Sequence, residues 1–95
     1  MKVLTKLSVI IPAFNEADTI HLILNKIKGV ELINDIKKEI IIINDCSSDN
    51  TETAVKNYIE ANPEIDIQYY IQPKNMGKGA ALHRGIREAS GDAII

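Results

Sequence analysis

Ninety-five residues, 45% of them hydrophobic and 25% charged, fit one small soluble globular domain and nothing larger. Eleven basic against 13 acidic side chains give a formal charge of −2, which argues against a nucleic-acid-binding surface. The single cysteine, Cys46, excludes an internal disulfide framework and a multi-cysteine zinc site, and no apolar run approaches the roughly 18 residues of a membrane span.

Met1-Lys2-Val3 leads straight into an apolar run without the pattern of a signal peptide, so a cytoplasmic, reduced setting is expected. Leu7 to Ile11 reads as a strand buried on both faces and stopped by Pro12. Asn15 or Asp18 then caps a helix whose apolar stripe is Ile20, Ile23, Leu24 and Ile27, ending near Gly29. Ile40 to Ile43 is a second strand, followed by the polar turn 44–48. Asp49, three residues before Glu52, opens in capping-box fashion a helix carrying Ala54, Val55, Tyr58 and Ile59, which Asn62-Pro63 closes. Ile65 to Ile71 is a third strand containing Tyr69-Tyr70, and 73–79 is a loop. A third helix spans about 78–89 with Leu82, Ile86 and Ala89 on one side, stops at Ser90-Gly91, and gives way at Ala93-Ile94-Ile95 to a fourth strand.

Alternating strands and helices with apolar strands predict an α/β fold, a Rossmann-like three-layer α/β/α arrangement on a parallel sheet. Right-handed crossovers leave few topologies, and the order 3-2-1-4 is expected. Residues 1–95 carry no repeat, low-complexity stretch or linker and read as a single partial domain. Because the sequence stops inside a strand that should be central, it is expected to be an N-terminal piece whose exposed sheet edge promotes self-association or marginal stability.

In an open parallel sheet ligands bind beyond the carboxyl ends of the strands, at the switch point of strand order. This directs attention to 12–16, to Asn44-Asp45, and to whatever follows Ile95. Asp45 has two readings of equal weight: an acceptor for a nucleobase imide or ribose hydroxyl, or a turn aspartate bonding its own backbone. For Asn15 and Glu16, helix capping is a sufficient explanation. Phe14, the only phenylalanine, either stacks on a base or folds back onto the core. The loop 75–81 places Lys78 between Gly77 and Gly79 at a helix start, where backbone N–H groups can approach an anion. A lysine there opposes the macrodipole, which favours an anionic ligand over a solvated side chain. The loop is neither a Walker A sequence, since Ala80 stands at the Ser/Thr position, nor a dinucleotide fingerprint, since Leu82 replaces the third glycine. His21 and His83 lack a second ligand at metal spacing, Cys46 reads as a buried inert thiol, and Arg84 and Arg87 read as an exposed helical face.

Taken together, residues 9–16, 42–51 and 75–81 resemble glycosyltransferase family 2, and within it the dolichyl- or polyprenyl-phosphate sugar synthase branch. The blocks match in order and spacing over nearly the whole sequence. The resemblance implies the N-terminal, nucleotide-binding half of a GT-A fold that binds a UDP- or GDP-sugar. It places Pro12, Phe14 and Glu16 along the nucleotide, Asp45 against the base, and Lys78 near the nucleotide or an acceptor phosphate. Asn44 stands where the family pattern has Asp, and Cys46 where it usually has Gly. The resemblance further implies an Asp-x-Asp motif beyond Ile95 holding Mg²⁺ or Mn²⁺, so no catalytic residue, metal ligand or bound metal is expected within 1–95. The implied activity is inverting transfer of a sugar to a polyprenyl phosphate or glycan acceptor, by a longer enzyme at the cytoplasmic face of a membrane. The 95 residues alone are expected to be inactive. The rival is a non-catalytic Rossmann-like module for a nucleotide or protein partner. A receiver-like signalling domain fits less well, because Pro12 ends the first strand where that fold needs acids.

Overall fold

A computed structural model describes residues 5–32 and 35–95. Four strands, β1 (Lys6–Ala13), β2 (Lys37–Asn44), β3 (Ile67–Ile71) and β4 (Ala93–Ile94), alternate with three helices, α1 (Ile20–Lys28), α2 (Thr51–Ala61) and α3 (Lys78–Glu88). All pairings are parallel and the order is β3-β2-β1-β4, as the sequence pattern implies. Glu39 to Asn44 are all buried, which is why β2 reads as an unbroken apolar run rather than an alternating one. Ile40 and Ile42 point into a cluster with Ile20, Leu24, Val55 and Tyr58, whereas Ile41 and Ile43 pack against Ala81 on the other face. Helices α1 and α2 therefore cover one side of the sheet and α3 the other.

Several local expectations change. Pro12 does not stop β1; it continues the strand opposite Ile43. The Ile10 N–H donates to the Ile95 carbonyl at 2.9 Å, and residue 12, two positions on, directs its missing N–H to the same β4 side and away from β2. Neither Asn15 nor Asp18 caps α1: Thr19 precedes it without a side-chain cap bond. Ile23 is more than a third exposed, so the buried stripe is Ile20 and Leu24 with Ile27 half-buried. The capping box at α2 is absent, because Asp49 accepts from the Thr51 N–H at 3.0 Å and from its hydroxyl, while Glu52 pairs with Lys56 at 3.0 Å. Ile65 lies before β3 and packs on the core from the preceding turn.

On α3 the buried residues are Ala81 and Gly85, and Ile86 is exposed. The small face lets the helix sit close to β1: a Cβ on Gly85 would lie 2.4 Å from Ile10 Cγ2. Gly85→Ala is expected to lower stability by up to ~2 kcal/mol, as overpacking of ~1–3 kcal/mol is offset only by the ~1 kcal/mol of helix propensity gained. A lower urea midpoint with an unchanged m-value is the result to look for. Arg84, read from sequence as exposed, is half-buried: its Nη1 donates to the Ile71 carbonyl at 2.7 Å and to Gln72 Oε1 at 2.9 Å, with the guanidinium over the Tyr70 ring. It ties α3 to the end of β3.

Far from the carboxyl ends of the strands, Glu39 is buried within a polar knot. Its carboxylate accepts from the Ser8 hydroxyl at 2.6 Å and from the Ser90 N–H at 2.8 Å and hydroxyl at 3.0 Å, and lies 3.5 Å from Lys6 Nζ. Gly91 closes this knot, its N–H donating to the Ser8 hydroxyl at 2.9 Å. None of this is visible in the sequence, where Ser8 merely interrupts an apolar run and Glu39 closes the charged stretch before Ile40.

Candidate functional site

At the carboxyl ends of β1 and β2 the chain opens into a cleft of about 520 Å³. Pro12, Phe14, Glu16, Asp45 and Lys78, the five binding residues singled out in the sequence, all line it, with Ile10 and Leu82 among its apolar wall. The register explains the convergence. Ala13 pairs with Asn44, and the Asp45 N–H donates to the Ala13 carbonyl at 2.8 Å, so the two strands end level and release their loops side by side.

Those loops are stitched together by Asn15 rather than capped by it. Asn15 has φ 53°, its N–H donates to the Ser47 hydroxyl at 2.9 Å, and its Oδ1 accepts from the Ser48 N–H at 2.9 Å. The Glu16 N–H donates to Thr51 Oγ1 at 2.9 Å, and the Ala17 N–H to Asp49 Oδ2 at 3.2 Å. Asparagine is among the few residues that enter the left-handed region readily and still present a side-chain acceptor. The Glu16 carboxylate accepts from the Thr19 hydroxyl within its own loop and faces the cleft. The Thr51 hydroxyl, outweighing the opposing effect of desolvation, holds the Asp49 carboxyl below its ordinary range.

The structure corrects the turn-aspartate reading of Asp45. The residue is 4% exposed and does not bond its own turn. Its Oδ1 accepts from the Met76 N–H at 2.8 Å and its Oδ2 from the Gly77 N–H at 2.9 Å, more than 30 residues away. The carboxylate thereby fastens the turn that starts α3 to the end of β2. Gly77 sits at φ 90°, a conformation L side chains rarely adopt, which is what the glycine supplies there. Sequence reasoning missed this link; the only signal for it was a glycine placed just before a helix start.

Lys78 follows as the first residue of α3, with no side-chain cap and no acidic residue in the first turn. The helix thus presents free N–H groups, the positive end of its dipole and a lysine at one end of the cleft, a combination suited to an anion. Phe14 is 46% exposed, so it is not folded into the core and its ring is available at the cleft.

The two departures from the family pattern have structural consequences. Asn44 is buried; its Nδ2 donates to the Tyr69 hydroxyl at 3.0 Å and its Oδ1 accepts from the Ser47 N–H at 2.9 Å, so the amide serves as donor and acceptor at once. Cys46 is half-buried rather than buried, and has φ 56°. That left-handed backbone explains why the pattern has glycine there. Cys46→Gly is expected to be neutral or to stabilise the chain by up to ~1 kcal/mol, measured as a shift in thermal midpoint.

Among the described residues, no group of three or more His, Cys, Asp or Glu side chains is arranged to hold a metal ion. The described residues do not fit a metal centre. What the cleft offers is an aromatic face, carboxylates as acceptors, and a cationic helix start.

The family model for glycosyl transferase family 2 matches residues 8–95. The chain belongs to glycosyltransferase family 2. A prophage bactoprenol glucosyl transferase homolog of Escherichia coli strain K12 is 33% identical over 90 residues, covering 95% of this chain and 29% of that protein. A dolichyl-phosphate beta-glucosyltransferase of Dictyostelium discoideum is 39% identical over 87 residues, covering 84% of this chain and 26% of that protein. A mannosyltransferase from Pyrobaculum calidifontis, solved in complex with GDP-Man and Mn²⁺, superposes with a TM-score of 0.87 at 27% identity, covering 98% of this chain and 26% of that one. The chain therefore spans under a third of the length of each of these three proteins. Its layering is that of the GT-A glycosyltransferases, and the receiver-like reading is set aside.

Proposed function

We propose that this chain is the nucleotide-sugar-binding part of a longer inverting glycosyltransferase, which moves a sugar from a UDP- or GDP-sugar to a polyprenyl phosphate at the cytoplasmic face of a membrane. The observation that carries the reading is the convergence of Phe14, Glu16, Asp45 and Lys78 on one cleft at the carboxyl ends of β1 and β2. In this reading Phe14 stacks on the base, and Asp45 accepts a hydrogen bond from a base imide or ribose hydroxyl. Lys78 and the α3 N-terminus face the phosphates. Similarity to bactoprenol and dolichyl-phosphate glucosyltransferases supports a polyprenyl-phosphate acceptor, and similarity to a GDP-Man- and Mn²⁺-bound mannosyltransferase supports a nucleotide-sugar donor with a divalent metal. We assign that metal, Mg²⁺ or Mn²⁺, to residues following Ile95. An ionised phosphate acceptor is already nucleophilic and lightens the demand for a general base.

The test is to titrate the 95-residue chain with UDP, GDP and ADP by calorimetry, and to assay transfer from UDP-glucose and GDP-mannose to a polyprenyl phosphate. Weak binding of UDP or GDP, in preference to ADP and without transfer, is the expected result. Binding of none of the three, or transfer by these residues alone, contradicts the reading.

A further inference from the structure

Asp45 is at the cleft and at the root of α3 simultaneously. From this we infer that Asp45 is a positioning residue for Lys78, coupling occupancy of the cleft to the placement of the Met76–Lys78 turn; the inference rests on the nucleotide reading above.

The geometry is specific. Each carboxylate oxygen accepts one backbone N–H, from Met76 at 2.8 Å and from Gly77 at 2.9 Å, and Lys78 is the next residue along. An ionised carboxylate has about four acceptor sites, so these two bonds leave capacity on a group that also lines the cleft. Asp45 is 4% exposed and follows the fully buried Ile40–Asn44 stretch, which prevents the carboxylate from swinging away to serve a ligand alone. A donor entering the cleft therefore meets a carboxylate still holding the turn, and fixing that carboxylate steadies the turn in return. Gly77, at φ 90° and with nothing within 4 Å of where a Cβ would lie, adds no packing of its own. The turn depends on charge-assisted bonds for its position. Coupling of this kind is reciprocal: whatever ligand binding gains from an ordered turn, the turn gains from the ligand. Lys78 is then held at the cleft by a residue that lines the same cleft.

Amide exchange by NMR tests this on the 95-residue chain, with UDP and GDP as probes. In the unliganded chain, Asp45→Asn is expected to speed exchange at Met76 or Gly77 by about tenfold or more, because the amide puts an NH₂ donor in place of one of the two accepting oxygens. Exchange at Ile41–Ile43 should be unchanged, which separates loss of the anchor from loss of the fold. In the wild-type chain, which needs no variant, saturating UDP or GDP should slow exchange at Met76 and Gly77. Shifts at Phe14 and Glu16 with no slowing at Met76 and Gly77 would overturn the coupling while leaving nucleotide binding intact. No shift anywhere in the cleft would overturn the nucleotide reading, and the coupling with it. Unchanged exchange at both amides in Asp45→Asn would overturn the anchor itself.

Discussion

Asp45→Ala is expected to weaken UDP or GDP binding by about 10- to 100-fold. A hydrogen bond to a charged group contributes ~1.5–3 kcal/mol, and each 1.4 kcal/mol is tenfold in affinity. The carboxylate holds the Met76–Gly77 turn, and in the proposed reading it also accepts from the ligand, so its removal costs both. Glu16→Gln, on the same cleft wall but without backbone bonds to a distant loop, should cost less. Calorimetric titration of the two variants alongside the parent chain checks the ranking. Equal, small losses for both would mean that Asp45 is an ordinary lining residue.

Glu39→Gln is expected to lower stability by ~3 kcal/mol at neutral pH, with little effect on the cleft. Burial pushes the Glu39 carboxyl up, but bonds from Ser8, from the Ser90 N–H and hydroxyl, and the charge of Lys6 together outweigh it, bringing the pKa from 4.5 to about 2. A carboxyl lowered in the folded state stabilises fully above its unfolded pKa. That contribution falls away as the pH drops from about 4.5 towards 2. The difference of some 2.5 pH units corresponds to ~3 kcal/mol. Urea midpoints at pH 7 and pH 3 should therefore differ more for the parent chain than for Glu39→Gln. A variant as stable as the parent at pH 7, or one with the same acid sensitivity, would show that the knot around Ser8 and Ser90 contributes nothing net.

Much of the fold was legible because it follows from a single pattern. Four consecutive isoleucines, Ile40 to Ile43, demand a strand covered on both faces, and strands alternating with helices demand parallel crossovers. The order 3-2-1-4 followed, and with it the position of the cleft. The cleft-lining residues were legible for the same reason: they lie at or just after strand ends, or open the helix that returns over the sheet. What the sequence hid were contacts between segments far apart in the chain. Asn15 looks like a helix cap until Ser47 and Ser48 are placed beside it. Arg84 looks solvated until the Ile71 carbonyl, Gln72 and Tyr70 are found against it. Pro12 looks like a terminator because propensity carries no information about the side of a strand on which its missing N–H falls. Ile86 fits a helical stripe, yet the face against the sheet belongs to Ala81 and Gly85, since close approach selected small residues there.

The most direct measurement is a ¹H–¹⁵N titration of the chain with UDP and with GDP, mapping the residues that respond. If the cleft is the nucleotide site, shifts will concentrate at Phe14–Glu16, Asp45 and Met76–Lys78 and will be absent at the opposite end of the sheet, around Lys6, Glu39 and Ser90. Shifts centred on that opposite end, or none with either nucleotide, would contradict it.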